Sequence, residues 1–217
     1  MLDQGVYTLA EVTQYTGVPA STLRNWFKPR SDGEGLGPVF KSDYASEGND
    51  FGVSFLNLVE AYVASFFKEN GVNPILIRRA HQVLQDQMRT SHPFAHEDLR
   101  TDRQRIFHYI QSDQKLVDVI SKQLLFKHVT PKLLRFRYAT TTRLADLWHV
   151  RKGVVITPRM GFGKPVIENS GVSTLIVANQ YKANGMDAAL VARLFKITED
   201  GVINAFRFEK QLGRIAA

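Results

Sequence analysis

The 217-residue chain contains no cysteine. That absence removes disulfide frameworks, thiolate zinc sites, iron–sulfur clusters and thiol nucleophiles together. Long apolar runs are missing as well. The most hydrophobic stretch, Val53 to Phe67, is broken by Asn57 and Glu60 and is too short to span a bilayer. The opening residues Met1-Leu2-Asp3-Gln4-Gly5 have neither the basic start nor the apolar centre of a signal peptide. A soluble, cytoplasmic protein with no membrane partner is the expectation.

Catalytic motifs are equally scarce. There is no His-Glu-x-x-His and no Gly-x-Ser-x-Gly. His92 and His96 flank Pro93 without a third ligand nearby, and His81, His108, His128 and His149 stand singly, as surface or hydrogen-bonded core histidines do. Gly161-Phe162-Gly163-Lys164-Pro165 lacks the spacing of a phosphate loop, and Pro165 removes a backbone donor where one is wanted, so it reads as a turn. Carboxylates are plentiful but not grouped for acid–base work. The expectation is a non-enzyme with no metal and no cofactor.

What is present is an ordinary globular composition, 44% hydrophobic and 23% charged, enough for one large domain or two small ones. The formal charge is +7, a balance suited to polyanionic partners. It is unevenly spread. Residues 1–50 carry 4 basic and 7 acidic groups, whereas 101–150 carry 9 and 4 and 151–217 carry 10 and 5. DNA binding by the N-terminal part must therefore rest on geometry and named side chains.

One local pattern occurs near each end. In the first copy, Thr8 and Glu11 stand in capping-box register, Gly17 supplies the positive φ that ends a helix, and Pro19 suits the start of a second. Leu9, Val12, Val18, Leu23 and Trp26 would meet in the angle between the two helices, which is the arrangement of a helix-turn-helix. The second helix then exposes Ser21, Thr22, Arg24, Asn25 and Lys28. Serine, threonine and lysine hold phosphates, and arginine and asparagine can each bond two atoms of a purine edge. Further on, 38–44 is expected to form a short strand pair, a wing. Val59, Tyr62, Val63 and Phe66 mark one helix, and Asn73-Pro74 starts another with Ile77, Ala80, Leu84 and Met88 on one face.

In the second copy, 154–173 reads as a β-hairpin and 173–183 as a helix. Asp187 caps a helix with Leu190, Val191, Ala192, Leu194 and Phe195, and Thr198 caps a third with Val202, Ala205 and Phe206 buried. Glu199 and Asp200 open that last helix and would repel phosphates, which favours a scaffold for protein contacts. Between the copies lies a basic segment with Lys115, Lys122, Lys127, Lys132, Arg135, Arg137 and Arg143. Arg103–Tyr109 and Leu133–Tyr138 have the alternation of short strands. This segment reads as a solvated sheet face, a phosphate grip beside DNA, or a surface for an acidic partner.

The helix-turn-helix, the polar wing and the helix pair joined by Asn70-Gly71-Val72-Asn73-Pro74 resemble the DNA-binding domain of MerR-type regulators over about the first 90 residues. The hairpin with three helices resembles a small homeodomain-like domain of unknown function. Together they resemble the two-domain class of VapB-type antitoxins. The fold class implied is mainly α with minor β: residues 1–89 a winged helix-turn-helix, 90–153 a mixed α/β region with a possible dimerisation role, 154–217 a homeodomain-like three-helix domain. The resemblance implies a type II toxin–antitoxin system, in which a homodimeric antitoxin binds its operator as autorepressor and masks a PIN-like ribonuclease toxin. Arg24 and Asn25 would read bases, Ser21, Thr22, Lys28 and Lys41 would hold the DNA backbone, and Arg207, Lys210 and Arg214 would oppose the toxin's metal-binding carboxylates. The rival readings are a stand-alone regulator sensing a small molecule and a protein-binding adaptor.

Overall fold

Local signals place the first two helices where the sequence puts them. In the computed structural model, which describes residues 5–28, 37–44, 52–101, 106, 109 and 130–215, β1 (Val6–Tyr7) leads into α1 (Leu9–Thr16). Thr8 and Glu11 form the expected capping box, and Gly17 ends α1 at φ 75°, its N–H donating to Thr13 O at 2.8 Å. After Val18 and Pro19 comes α2 (Ala20–Phe27). Val12, Val18, Leu23 and Trp26 are buried in the angle between α1 and α2, with Leu9 half-buried.

The expected wing does not form. Residues 38–44 carry no strand. Instead the N–H groups of Val39 and Phe40 both donate to the carbonyl of Trp26, at 2.7 and 3.0 Å, satisfying the end of α2. Phe40 is fully buried, edge-on to Trp26 at 5.8 Å between ring centroids. Packing this phenylalanine uses the amides that a strand ladder would need.

After β2 (Val53–Ser54) comes α3 (Phe55–Glu69), buried on nearly every face and capped by Ser54. It is the spine of its unit. Asn73 caps α4 (Pro74–Met88), which buries Ile77, Ala80 and Leu84. A 3-10 turn at Pro93–Ala95 lays Phe94 against Phe67 and Phe40, and the short helix α5 (Asp98–Thr101) follows. Of the segment expected to be a strand over 103–109, the described residues Ile106 and Tyr109 are helical, and the remainder lies outside the described residues. Lys115, Lys122 and Lys127 also lie outside them. In 133–138 the strand is shorter than expected: α6 (Thr130–Leu133) precedes β3 (Phe136–Tyr138).

Where the sequence suggests three regions, the structure divides into two units, Tyr7–Asp146 and Leu147–Ala217 with the residues up to Val6. In the first, β3 turns through 139–143 to Leu144 and the start of β4 (Ala145–Arg151), with Arg137 clasping Asp146 at 2.9 and 3.1 Å. In the second, β4 pairs with β5 (Val154–Ile156), Trp148 opposite Ile156. β5 pairs with β6 (Val166–Ile167), Val154 opposite Ile167. Three helices follow: α7 (Thr174–Ala183), α8 (Ala188–Phe195) and α9 (Glu199–Gln211). Asp187 Oδ1 and Thr198 Oγ1 accept from the N–H groups of Leu190 and Gly201 at 2.9 and 3.1 Å, the two expected caps. Ile167, Val177, Val191, Ala192, Val202 and Ala205 form the core. Phe206, expected buried with Val202 and Ala205, is half-buried, and Leu194 is exposed. The fold is mainly α with minor β.

Because nothing lies within 4 Å of a Cβ built on Gly17, an alanine there is opposed by backbone strain alone. Gly17→Ala is expected to cost about 1–2 kcal/mol in urea denaturation, and Gly17→Asn less. An alanine variant as stable as the parent contradicts the left-handed end of α1.

Candidate nucleic-acid interface

Helix α2 buries Leu23, Trp26 and Phe27 and turns its other side to solvent. Ser21, Arg24 and Asn25 are exposed, while Thr22 and Lys28 are half-buried. Ser21, Arg24, Asn25 and Lys28 stand at i, i+3, i+4 and i+7, so they share one face. No side chain caps the start of α2, where Pro19 stands. Lys41 is exposed in the segment that follows α2. Sequence reasoning missed Lys68, whose Nζ donates to Thr22 Oγ1 at 3.0 Å. It sits at the far end of α3, 46 residues away, and no local spacing signals it.

The support beneath α2 was also not visible in the sequence. Trp26 and Phe27 rest on Phe40, and Phe40 meets His81 and Phe94 at 5.2 and 6.2 Å. Behind these rings lies Glu60, fully buried on α3. Its Oε1 is 2.9 Å from His81 Nε2 and accepts from the Phe94 N–H at 3.4 Å. Its Oε2 is 3.1 Å from His92 Nδ1 and accepts from Asn57 Nδ2 at 3.5 Å. The other nitrogen of His92, Nε2, lies 3.2 Å from Asp43 Oδ1, and Ser54 Oγ donates to Asp43 Oδ2. Asn57 Oδ1 accepts from the Asp43 N–H at 3.3 Å while its amide donates to the Lys41 carbonyl at 3.3 Å. The segment after α2 is therefore tied to α3 through polar groups. In the sequence, Glu60 only interrupts an apolar run. The available signal was that an acid inside such a run must find a buried cation, and histidines were at hand.

Both ring nitrogens of His92 face carboxylates, which only the doubly protonated ring can satisfy as donor. Burial opposes that charge, but the hydrogen bonds and negative charges of Asp43 and Glu60 outweigh it and raise His92 from 6.5 to about 9. Burial likewise opposes the charges of Glu60 and Asp43. His81 and His92 hold Glu60 below its ordinary value, and His92 with Ser54 does so for Asp43.

The basic segment is largely paired where it is described. Arg143 reaches Glu97 and Asp98, Arg137 reaches Asp146, and Lys132 lies 4.8 Å over the ring of Phe66. In the other unit, Arg207 and Lys210 are exposed on α9. Arg214 is turned inward, its Nη1 3.6 Å from Oε2 of the fully buried Glu209, whose Oε1 accepts from Thr174 Oγ1. A cleft of ≈ 640 Å³ beside α9 is lined by both signs of charge, Lys152 and Lys196 with Glu168 and Asp200. Among the described residues no group of three His, Cys, Asp or Glu side chains could hold a metal ion, and no helix is long and apolar enough to cross a membrane.

These features define a mainly α protein with a supported, polar-faced helical corner in one unit and a hairpin with three capped helices in the other. No protein-family model matches the chain. A curated protein of Mycobacterium tuberculosis described as "Putative antitoxin VapB45" is 27% identical over 227 residues, covering 94% of this chain and 93% of that protein. The crystal structure of Rv2018 from Mycobacterium tuberculosis superposes with a TM-score of 0.73 at 26% identity, covering 92% of this chain and 95% of that one.

The charge network sets a pH dependence. His92 contributes stability that is complete below about 6.5 and is lost as pH rises to about 9. Asp43 and Glu60 contribute above their unfolded values, 3.8 and 4.5, and their share is lost in acid as pH falls through their lowered folded values. The unfolding free energy read from urea titrations should therefore fall between pH 6.5 and 9, by an amount on the order of 2–3 kcal/mol. His92→Gln should start lower and be flat over that range. A variant with the parental alkaline slope contradicts the assignment.

Proposed function

We propose that this chain is the antitoxin of a type II toxin–antitoxin system, a cytoplasmic dimeric autorepressor that binds operator DNA and neutralises a PIN-like ribonuclease toxin, with no catalytic role of its own. The relative named as an antitoxin, matched along nearly the whole of both chains, supports the antitoxin part. The observation that carries the DNA part is the shared face of α2, with Ser21, Arg24, Asn25 and Lys28 at helical spacing above a buried base. Arg24 and Asn25 read base edges in the major groove. Ser21, Thr22, Lys28 and Lys41 hold phosphates, and Lys68 joins them through Thr22. Two such helices, about 34 Å apart across a dimer, match a palindromic site.

Toward the toxin, Arg207 and Lys210 stand exposed three residues apart on α9 and oppose carboxylates that hold a divalent metal. Arg214 supports that helix through Glu209.

Arg24→Ala should weaken operator binding by about 1–3 kcal/mol, roughly five- to 150-fold, and relax selection at one base pair per half-site. Gel-shift titration against a randomised operator library reads both effects. Wild-type affinity and selectivity in that variant would remove α2 as the reader. In growth rescue by co-expression, Arg207→Ala with Lys210→Ala should lose toxin neutralisation while operator binding stays intact. Full rescue would place the toxin contact elsewhere.

A further inference from the structure

In the unit that begins at Leu147, residues 160–164 form a tight loop with three consecutive left-handed residues, Gly161 at φ 57°, Phe162 at 53° and Gly163 at 80°. Its base is fixed. Met160 packs against Leu147, Val155 and Val166, while Gly163 and Pro165 are buried. The Gly163 N–H donates to Met160 O at 3.1 Å, and the Lys164 N–H to Gly161 O at 2.9 Å. A Cβ on Gly161 would lie 2.6 Å from Val166 Cγ1, so the loop is pressed onto β6 as closely as glycine allows.

On this rigid base stands Phe162, 82% exposed, more than any other large apolar side chain among the described residues. Two costs fall on one residue: a left-handed backbone disfavours every residue but glycine and asparagine, and the ring is left in water. Glycine or asparagine would remove both. An outlier of this kind, held by its surroundings, is what a binding role explains.

The surroundings indicate the partner. From Leu147 to Ile167 the chain carries Arg151, Lys152, Arg159 and Lys164 and no acid. Elsewhere in the unit Ile176, Met186 and Leu194 are also exposed, apolar surface that a protein rewards and a phosphate backbone does not. We propose that Phe162 is a pre-organised aromatic anchor that enters an apolar pocket, rimmed by carboxylates, on a partner protein. This rests on the antitoxin reading, and the partner is then the toxin. A pre-set ring on a rigid loop loses little entropy on binding, the usual property of residues that dominate an interface.

The test uses the full chain co-expressed and co-purified with the product of the reading frame that adjoins it, with affinity measured by calorimetry. Phe162→Asp should weaken that complex about 30-fold or more and leave operator binding unchanged. Phe162→Gly should weaken it as well while the unfolding midpoint falls no lower than the parent's, which separates binding from folding. A complex of parental affinity in both variants overturns the anchor and leaves the antitoxin reading standing. A complex kept while Phe162→Asp loses operator binding also overturns it, making the ring a DNA wedge. Failure of the unmodified chain to form any complex overturns both.

Discussion

The N-terminal unit depends on one buried negative charge. Glu60 sits among apolar side chains on α3, where an ionised carboxylate without partners would cost several kcal/mol. It is retained because His81, His92, the Phe94 amide and Asn57 converge on it from α4, from the turn after α4 and from α3 itself. Removing one partner of such a set leaves the rest buried and unpaired, so the cluster holds together or fails together. Through His92 and Asp43 the same charges fix the segment that follows α2, and through Phe40 they set the floor under Trp26 and Phe27. The polar face of α2 owes its direction to a carboxylate on another helix.

The other unit repeats the device with different parts. Glu209, fully buried on α9, is met by the hydroxyl of Thr174 at the start of α7 and by the guanidinium of Arg214. An acid near the end of one helix thereby locks the beginning of another. The arrangement also separates the C-terminal cations by exposure. Arg214 is engaged with its own fold, while Arg207 and Lys210 face outward.

Much of this architecture was legible because its signals are local. Capping pairs at Thr8 and Glu11, at Asp187 and at Thr198, and the positive φ of Gly17, depend on residues a few positions apart, and each stands where the sequence puts it. The three C-terminal helices follow from apolar spacing for the same reason. Long-range pairings were not legible. The wing over 38–44 failed because Phe40 is drawn into the core and its amide to Trp26, a contact no alternation pattern reveals. The Glu60 cluster joins residues from 43 to 94, and Lys68 reaches Thr22 across 46 positions. Of the candidate site, the exposed face of α2 was readable from helical spacing. What holds that face in place was not.

The central claim is that the corner of α1 and α2 makes this chain a sequence-specific reader of its own control region. Hydroxyl-radical footprinting of the purified full-length protein on the DNA upstream of its reading frame tests it directly. The account predicts two protected half-sites related by a dyad and centred about one helical turn apart. Uniform, salt-sensitive protection with no preferred site would contradict it, because bulk positive charge would then suffice.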